Sequence, residues 1–381
     1  MTVSVLILGT ADWNQPIATN QHYVARELAT EHSVRFVESM GLRRPELRRS
    51  DIARIAARIR SGSTARADCR PNRGIDVLRP LTIPFHQGPA RVVNRAMLER
   101  LTSTWKSSAG TKLLWTYTPN TYGLEQHADG TVYHCVDLLG AVRGIDSDLI
   151  AKEEVRLARS GVLAVASSSV VYDHLKSVGF ANVRLWSNVA DTAPIAAAVA
   201  RAEKRVERAV FAGNLTSSKV DFDLLGDLLD QGVRVDLAGP VSEGGGSAAT
   251  QVSALEDKGA VYHGHLGYAA LSELYASSTV GMIPYLINQY TTGVNPLKTF
   301  EYLAAGLKVV STAIPAVESR PGHVDIARSR EQFSGAVAQS IGVPSSSEIA
   351  ARTEIADHHS WRRRGRQIHE LVSELTANHA S

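Results

Sequence analysis

Cysteine is scarce in this chain: among 381 residues there are only Cys69 and Cys135. Two thiols cannot build a disulfide framework, and no run of Cys and His has the spacing of a structural zinc site. A reducing cytoplasm is therefore the expected compartment. Long hydrophobic runs are also missing, since nothing approaches the roughly 20 apolar residues that a membrane span needs. The opening TVSVLILGT reads as a strand, without the basic leader and small-residue cleavage site of a signal peptide. A net charge of +3 is too small to imply a nucleic-acid partner. The first strand is followed by GTADWN, which lacks the G-x-G-x-x-G turn of a dinucleotide oxidoreductase. What remains is an ordinary globular composition, 44% hydrophobic and 21% charged, over a length that suits two domains.

The hydrophobic pattern alternates strand and helix twice over. VSVLILG, a helix near NQHYVARELATEH and SVRFVES form a βαβ unit, and IDVLRPLTI, KLLWTYT, TVYHCVDL, VLAVASS and VRLWSN continue the series. A second series opens at RAVFAGN and runs through VRVDLAG, AVYHGH, VGMIPY and LKVVST. The predicted fold class is α/β: two Rossmann-like doubly wound domains facing across a cleft, with a C-terminal helix crossing between them. The expected boundaries are 1–190 for the first domain, 191–207 for a linker, 208–356 for the second domain and 357–381 for the closing helix. In that helix Trp361, Ile368, Leu371 and Leu375 form the expected buried side. Ligands of open parallel sheets collect beyond the carboxyl ends of the strands, where the polar loops of both halves fall. GGGS at 244–247 reads as a loop tip, not a phosphate cradle.

The most informative stretch is GVNPLKTFEYLAAGLKVVST, residues 293–312. Asn295 suits an N-cap, Pro296 the first helical position and Gly306 a left-handed C-terminus. At about 100° per residue, Leu297, Phe300, Leu303 and Ala304 share one face, and Lys298, Glu301, Tyr302 and Ala305 the other. A cation in the first turn opposes the helix dipole, and lysine before glutamate is the weaker order for an ion pair. A phosphate there reverses the penalty by meeting Lys298, while Glu301 accepts bonds from a pair of sugar hydroxyls. The alternative is a plain amphipathic helix with an exposed ion pair.

This segment resembles the nucleotide-sugar segment of GT-B glycosyltransferases, which reads roughly Pro-x-Lys-hydrophobic-x-Glu-Tyr-Leu-Ala-x-Gly. Within that superfamily the chain is similar to bacterial enzymes of the family 4 type, including teichuronic acid biosynthesis proteins, and more distantly to the xanthan glucuronosyltransferase. The likeness extends through TVYHCVDLLG, VFAGNLTSSKVDFDLL, YHGHLGYAALSELYASSTVGMIPY and WRRRGRQIHELV. It implies that Glu301 holds the donor ribose, and that Lys298 with the backbone at Gly293, Val294 and Asn295 holds the diphosphate. It further implies that Gly213 and Asn214 lie near the phosphates and that His265 and Tyr285 flank the base. Tight-turn, loop and packing roles are the alternatives for Gly213, His265 and Tyr285. Many retaining relatives carry a Glu-x7-Glu pair, but Gly293 stands eight residues before Glu301. The transferred sugar and the stereochemical outcome are thereby open.

The expected activity is transfer of a sugar from a nucleoside diphosphate donor, UDP-sugar favoured, to a glycan, lipid-linked or natural-product acceptor. No DxD-like acidic pair falls in a predicted loop of the second domain, so no metal and no other cofactor is expected, and the leaving diphosphate is to be met by Lys298, with Lys219 either a second cation or a surface lysine at a helix start. If the reaction inverts configuration, Asp137, at the end of the VYHCV strand, is the candidate general base, in keeping with the Tyr-x-x-x-Asp block that the family often carries; retention needs no base in this role. Capping of the next turn is its alternative, and His22 and His134 are further candidates for the base. By position, Trp13, Asn14, His22, Tyr117 and Asn120 are expected around the acceptor, the indole face suiting a sugar ring. RRPELRRSDIARIAARIR, residues 43–60, suits either a solvated helix or peripheral contact with an anionic membrane. Two other readings share the fold: a catalytically silent sugar-nucleotide or carbohydrate binding protein, and a non-hydrolysing nucleotide-sugar epimerase.

Overall fold

The computed structural model describes residues 2–15, 18–42, 74–83, 85–142, 144–243, 246–318 and 320–377. The arginine-rich segment 43–60, expected to contact a membrane or solvent, and Cys69 lie outside the described residues. The chain divides into two compact units, Met1–Trp186 with Gly365–Ser381, and Ser187–Arg364.

In the first unit seven strands form one sheet: β1 (Ser4–Leu8), β2 (Ser33–Val37), β3 (Ile75–Leu78), β4 (Lys112–Thr116), β5 (Gly130–Cys135), β6 (Leu163–Ala166) and β7 (Val183–Leu185). Their order is β3-β2-β1-β4-β5-β6-β7 and every pairing is parallel. Continuous apolar runs explain this: SVLIL of β1 is buried at all five positions, as strands covered on both faces must be. Helices enter from polar caps. Ser168 accepts the Val171 N–H at 3.3 Å to open Ser169–Val178, and Gly179, at φ 107°, closes it in a conformation that L side chains avoid.

The second unit repeats the plan with β8 (Ala209–Ala212), β9 (Val235–Ala238), β12 (Val261–Tyr262), β13 (Val280–Ile283), β14 (Lys308–Thr312) and β15 (Val324–Ala327), ordered β12-β9-β8-β13-β14-β15 and all parallel. A two-stranded hairpin, β10 (Ser242–Glu243) with β11 (Gly246–Ser247), projects beyond β9. In both units the winding reverses direction once, between β1 and β4 and between β8 and β13. Those are the switch points at which such sheets take ligands.

Two expectations change. Residues 191–207 are not a bare linker, because they contain the helix Thr192–Arg201, whose Ile195 joins the second unit's core and beside which the Tyr268 hydroxyl donates to the Asp191 carbonyl at 2.8 Å. Its alanine-rich sequence hid an apolar stripe that only a neighbouring helix could complete. The closing stretch is two helices, Ser346–His358 and Trp361–Ala377, broken at His359. Ile368 and Leu371 are fully buried as expected, whereas Trp361 and Leu375 are half-buried.

Candidate functional site

At the second unit's switch point, strand ends and one short helix are locked together by side chains of unusual fit. Gly239 ends β9 at φ 129°, and a Cβ there would lie 2.0 Å from the Gly213 carbonyl oxygen. Only glycine allows the two strand ends to touch. On β13, a Cβ on Gly281 would meet the Tyr302 ring at 2.3 Å. The ring therefore lies flat on the strand, and its hydroxyl accepts the Ala212 N–H at 3.0 Å. These contacts fix the helix Lys298–Ala304 beside the end of β8. Leu307 N–H to the Tyr302 carbonyl and Gly306 N–H to the Leu303 carbonyl, both 2.9 Å, end it in a Schellman motif, with Gly306 at φ 73°.

Lys298 and Glu301 project from this helix. Lys298 Nζ donates to Glu301 Oε2 at 2.8 Å, and the Tyr275 hydroxyl donates to the same oxygen at 3.1 Å. The two charged side chains are only 16% and 5% exposed. Burial holds the Tyr275 hydroxyl well above the ordinary phenol range, and the Glu301 charge adds to that, so Tyr275 remains a donor. The Lys298 Cε lies 4.0 Å from where a Gly213 Cβ would sit, so the missing side chain clears a path between the β8 end and the lysine.

Both helix expectations need correction. The regular helix begins at Lys298, not after an Asn295 cap: the Thr299 and Phe300 N–H groups bond back to the Pro296 and Leu297 carbonyls in tight turns. The face carrying Lys298, Glu301, Tyr302 and Ala305 is not an exposed polar face, because Tyr302 and Ala305 are fully buried. A helix wedged at a strand end is covered on every side, which amphipathic projection cannot anticipate.

The neighbouring loops place the other donor candidates. Lys219 Nζ stands 4.8 Å over the Tyr285 ring, which packs edge-on against Phe211, and Val220 bridges to Tyr285. Tyr285 is itself buried. Asn214 is half-buried beside Gly213, and His265 is exposed on the loop after β12, next to Gly264, whose carbonyl accepts the Gly239 N–H at 2.8 Å. The Gly293 and Val294 N–H groups already donate to the Tyr290 and Thr291 carbonyls, and the Asn295 carbonyl accepts from Asn188 Nδ2 at 2.7 Å. That backbone is committed to a turn, in contrast to the expected phosphate cradle. Gly213, Lys298 and Glu301 are brought together; Lys219 and Tyr285 form a second contact. Sequence reasoning missed Gly239, Gly281, Tyr275 and Tyr302, although VFAGN and DLAGP end in the same pattern.

In the first unit the acceptor candidates are mostly packed. Trp13 is 8% exposed, its ring 5.0 Å from Phe36 and 5.3 Å from His22, with the Arg26 guanidinium 5.8 Å from its centroid. Its backbone N–H donates to Glu38 Oε1 at 2.9 Å. The indole therefore offers no open face for a sugar, because the loop after β1 folds back on the helix Asn20–Leu28. His22 is committed too: Nδ1 accepts the Thr19 N–H at 3.0 Å, Nε2 lies 3.2 Å from the Asp12 carbonyl, and burial lowers its pKa. It caps a helix instead of meeting acceptor. Tyr117 stacks on the fully buried His134 at 5.0 Å, and Asn120 Oδ1 accepts from Arg91 at 3.1 Å; Asn14 is exposed. Asp137 is half-buried in the turn after β5, where the Cys135 thiol donates to its carbonyl at 3.4 Å.

The loop after β4 carries the unit's unexpected polar cluster. Tyr122 adopts φ 56°, rare for a residue with a side chain. It is held there by a 2.5 Å bond between its hydroxyl and His86 Nδ1, and by the Arg91 guanidinium 5.1 Å from its ring. Arg91 also pairs with buried Glu153 at 2.9 Å, and Arg156 joins Glu153 at 2.7 Å and Glu125. Apart from Glu153 and Arg156, these partners stand 31 to 62 positions apart, and no motif announced them.

Among known proteins, residues 222–370 match a family model described as glycosyl transferase-like. No curated protein matches the chain in sequence. Solved structures match throughout its length. Sucrose-phosphate synthase from Thermosynechococcus elongatus aligns over 99% of this chain and 100% of its own at a TM-score of 0.69 and 13% identity. Anabaena HepE, solved in complex with UDP-glucose, aligns over 97% and 99% at 0.63 and 14%. An Escherichia coli trehalose-6-phosphate protein bound with UDP-2-fluoro glucose aligns over 98% and 99% at 0.68 and 12%. With two doubly wound parallel sheets of this order, the chain has the GT-B glycosyltransferase fold, and its residues 222–370 are similar to a glycosyl transferase-like family.

Proposed function

We propose that the protein transfers a sugar from a UDP-sugar to a hydroxyl of a glycan, lipid-linked or natural-product acceptor, as an enzyme of the family 4 type. The observation that carries this reading is the buried Lys298–Glu301 pair beside Gly213 at the second unit's switch point. Both bonds to Glu301 fall on Oε2, which leaves Oε1 for the ribose hydroxyls. Lys298 then turns toward the diphosphate across the space that Gly213 leaves open. In the transfer, the C1–O bond to the β-phosphate breaks, negative charge grows on the leaving diphosphate, and a fixed ammonium in a water-poor site stabilises it. Lys219 is the second cation, and the reaction needs no metal. His265 and Tyr285 flank the base in this reading.

Asp137 is the proposed general base. It takes the acceptor hydroxyl proton as the oxygen bonds to C1. Support comes from its place at the carboxyl end of β5 in a half-buried turn; the UDP-sugars bound by HepE and by the E. coli protein support the choice of donor. The test is calorimetric titration with UDP, GDP, dTDP and ADP in the presence of EDTA, repeated on Glu301→Ala. Micromolar UDP binding lost in the variant supports the reading; failure of all four nucleotides to bind the folded protein ends it.

A further inference from the structure

Away from the strand ends that take nucleotide, one side-chain cluster in the first unit has the composition of a metal site. Glu31 and His32 sit in the turn between the helix Asn20–Leu28 and β2, at the amino ends of the strands. His369 comes from the helix Trp361–Ala377, more than 300 residues later. One donor atom from each of the three lies within 4.8 Å of the others. One ring nitrogen of each histidine is without a hydrogen-bond partner: His32 Nδ1 and His369 Nδ1, both buried. His369 Nδ1 stands 3.6 Å from Glu31 Oε2, outside hydrogen-bond range and on the same side as the second imidazole. The two rings are 5.7 Å apart.

The other nitrogen of His369 is spoken for. Its Nε2 lies 3.3 Å from Glu27 Oε1 and 3.4 Å from the Thr30 hydroxyl. Glu27 is in turn seated against Gly365, one helical turn before His369, where a Cβ would come within 2.2 Å of Glu27 Oε1. A carboxylate beside Nε2 favours the tautomer protonated there and leaves the Nδ1 lone pair for a metal, as in the carboxylate-histidine-metal arrangement. Two imidazoles at close range, an acidic third partner and a histidine beside a carboxylate are what a borderline divalent ion selects.

We infer that His32, His369 and Glu31 bind a divalent transition ion of the zinc class, with Glu27 as a positioning residue and water as the fourth ligand. Bonds of roughly 2.0 to 2.1 Å require ligand atoms about 3.4 Å apart. Glu31 supplies the contraction, because its side chain is 63% exposed and free to move inward. The ion has no part in sugar transfer, since it lies at the strand ends opposite the switch point. It fastens the helix Trp361–Ala377, at His369, to the turn that follows the helix Asn20–Leu28 within the first unit. The expectation that no metal is needed at the donor site is untouched.

The experiment titrates tag-free full-length protein with ZnCl2 by calorimetry and follows thermal unfolding with and without the ion. Expected are one site of micromolar affinity, at least tenfold weaker in His32→Ala and in His369→Ala, and a Zn-dependent rise in Tm confined to the wild type. Glu27→Gln is expected to weaken the site tenfold or more without abolishing it. UDP binding by His369→Ala checks that the variant is folded. Absence of a stoichiometric site, or one that survives both histidine substitutions, overturns the inference.

Discussion

Removing Lys298 separates two roles that a single substitution usually confounds. In the free protein Lys298 neutralises Glu301, whose side chain is 5% exposed, across 2.8 Å. Breaking a buried pair by taking one partner away costs about 3 to 5 kcal/mol, since the remaining charge is stranded. The lysine side chain keeps 16% exposure, so water reaches it, and a loss of about 2 to 3 kcal/mol is expected for Lys298→Ala in urea unfolding. A charge-assisted bond to phosphate contributes about 1.5 to 3 kcal/mol, so UDP affinity is expected to fall roughly 10- to 150-fold. Uridine, which has no phosphate, binds the variant as it binds the wild type. The double variant Lys298→Met/Glu301→Gln removes both charges and keeps the volume, and Gln can still accept from Tyr275. It recovers most of the lost stability and none of the UDP affinity. If stability and UDP affinity return together, Lys298 supports only the fold. Equal weakening of UDP and uridine likewise contradicts a phosphate contact.

Three further outcomes follow from the same geometry. Gly281→Ala drives a methyl group into the Tyr302 ring, and overpacking of about 1 to 3 kcal/mol is expected in chemical denaturation, with UDP binding weakened because the helix Lys298–Ala304 shifts. His359 stacks on Phe300 at 4.0 Å, and burial first, then the Arg320 charge, lowers its pKa to about 4. Its folded value lies below the unfolded one near 6.5, so the unfolded chain binds more protons and stability falls as pH drops from about 6.5 to about 4. The loss is on the order of 1 to 2 kcal/mol after discounting for partial solvent screening, and His359→Phe is expected to flatten that stretch of the stability profile. Asp137→Ala is expected to lower turnover 10²- to 10⁴-fold with UDP affinity unchanged, and a parallel loss of both would remove Asp137 from the role of base.

How far the sequence could be read depended on whether a feature is local. Strand runs such as SVLIL and VGMI are legible because strands of a parallel sheet covered on both faces must be apolar throughout, and Gly306 is legible because a left-handed helix end is a property of one residue. The Lys298–Glu301 pair stood out for the opposite reason: it is poor helix design, and poor local design that persists points to another demand on those residues. The Trp13 indole and the imidazole of His22 misled, because their chemistry suits both a sugar and a core, and the choice was made by the Phe36 ring and the Arg26 guanidinium, which the fold brings against them.

The pairs that decide the candidate site belong to a different category of information. Gly281 means nothing until Tyr302 lies on it, and Gly239 nothing until Gly213 arrives across the strand ends. Each is a long-range coincidence between a missing side chain and a close approach, with no periodicity to betray it. The same holds for His32 and His369, which lie too far apart in sequence for any ligand-spacing rule. A single sequence reveals where a backbone turns and which segments are buried; it does not reveal which glycine receives which ring. The least legible contacts are then those on which a rigid nucleotide site would depend, because holding Lys298 in place requires Gly213, Gly281, Tyr302 and Tyr275 to agree at once.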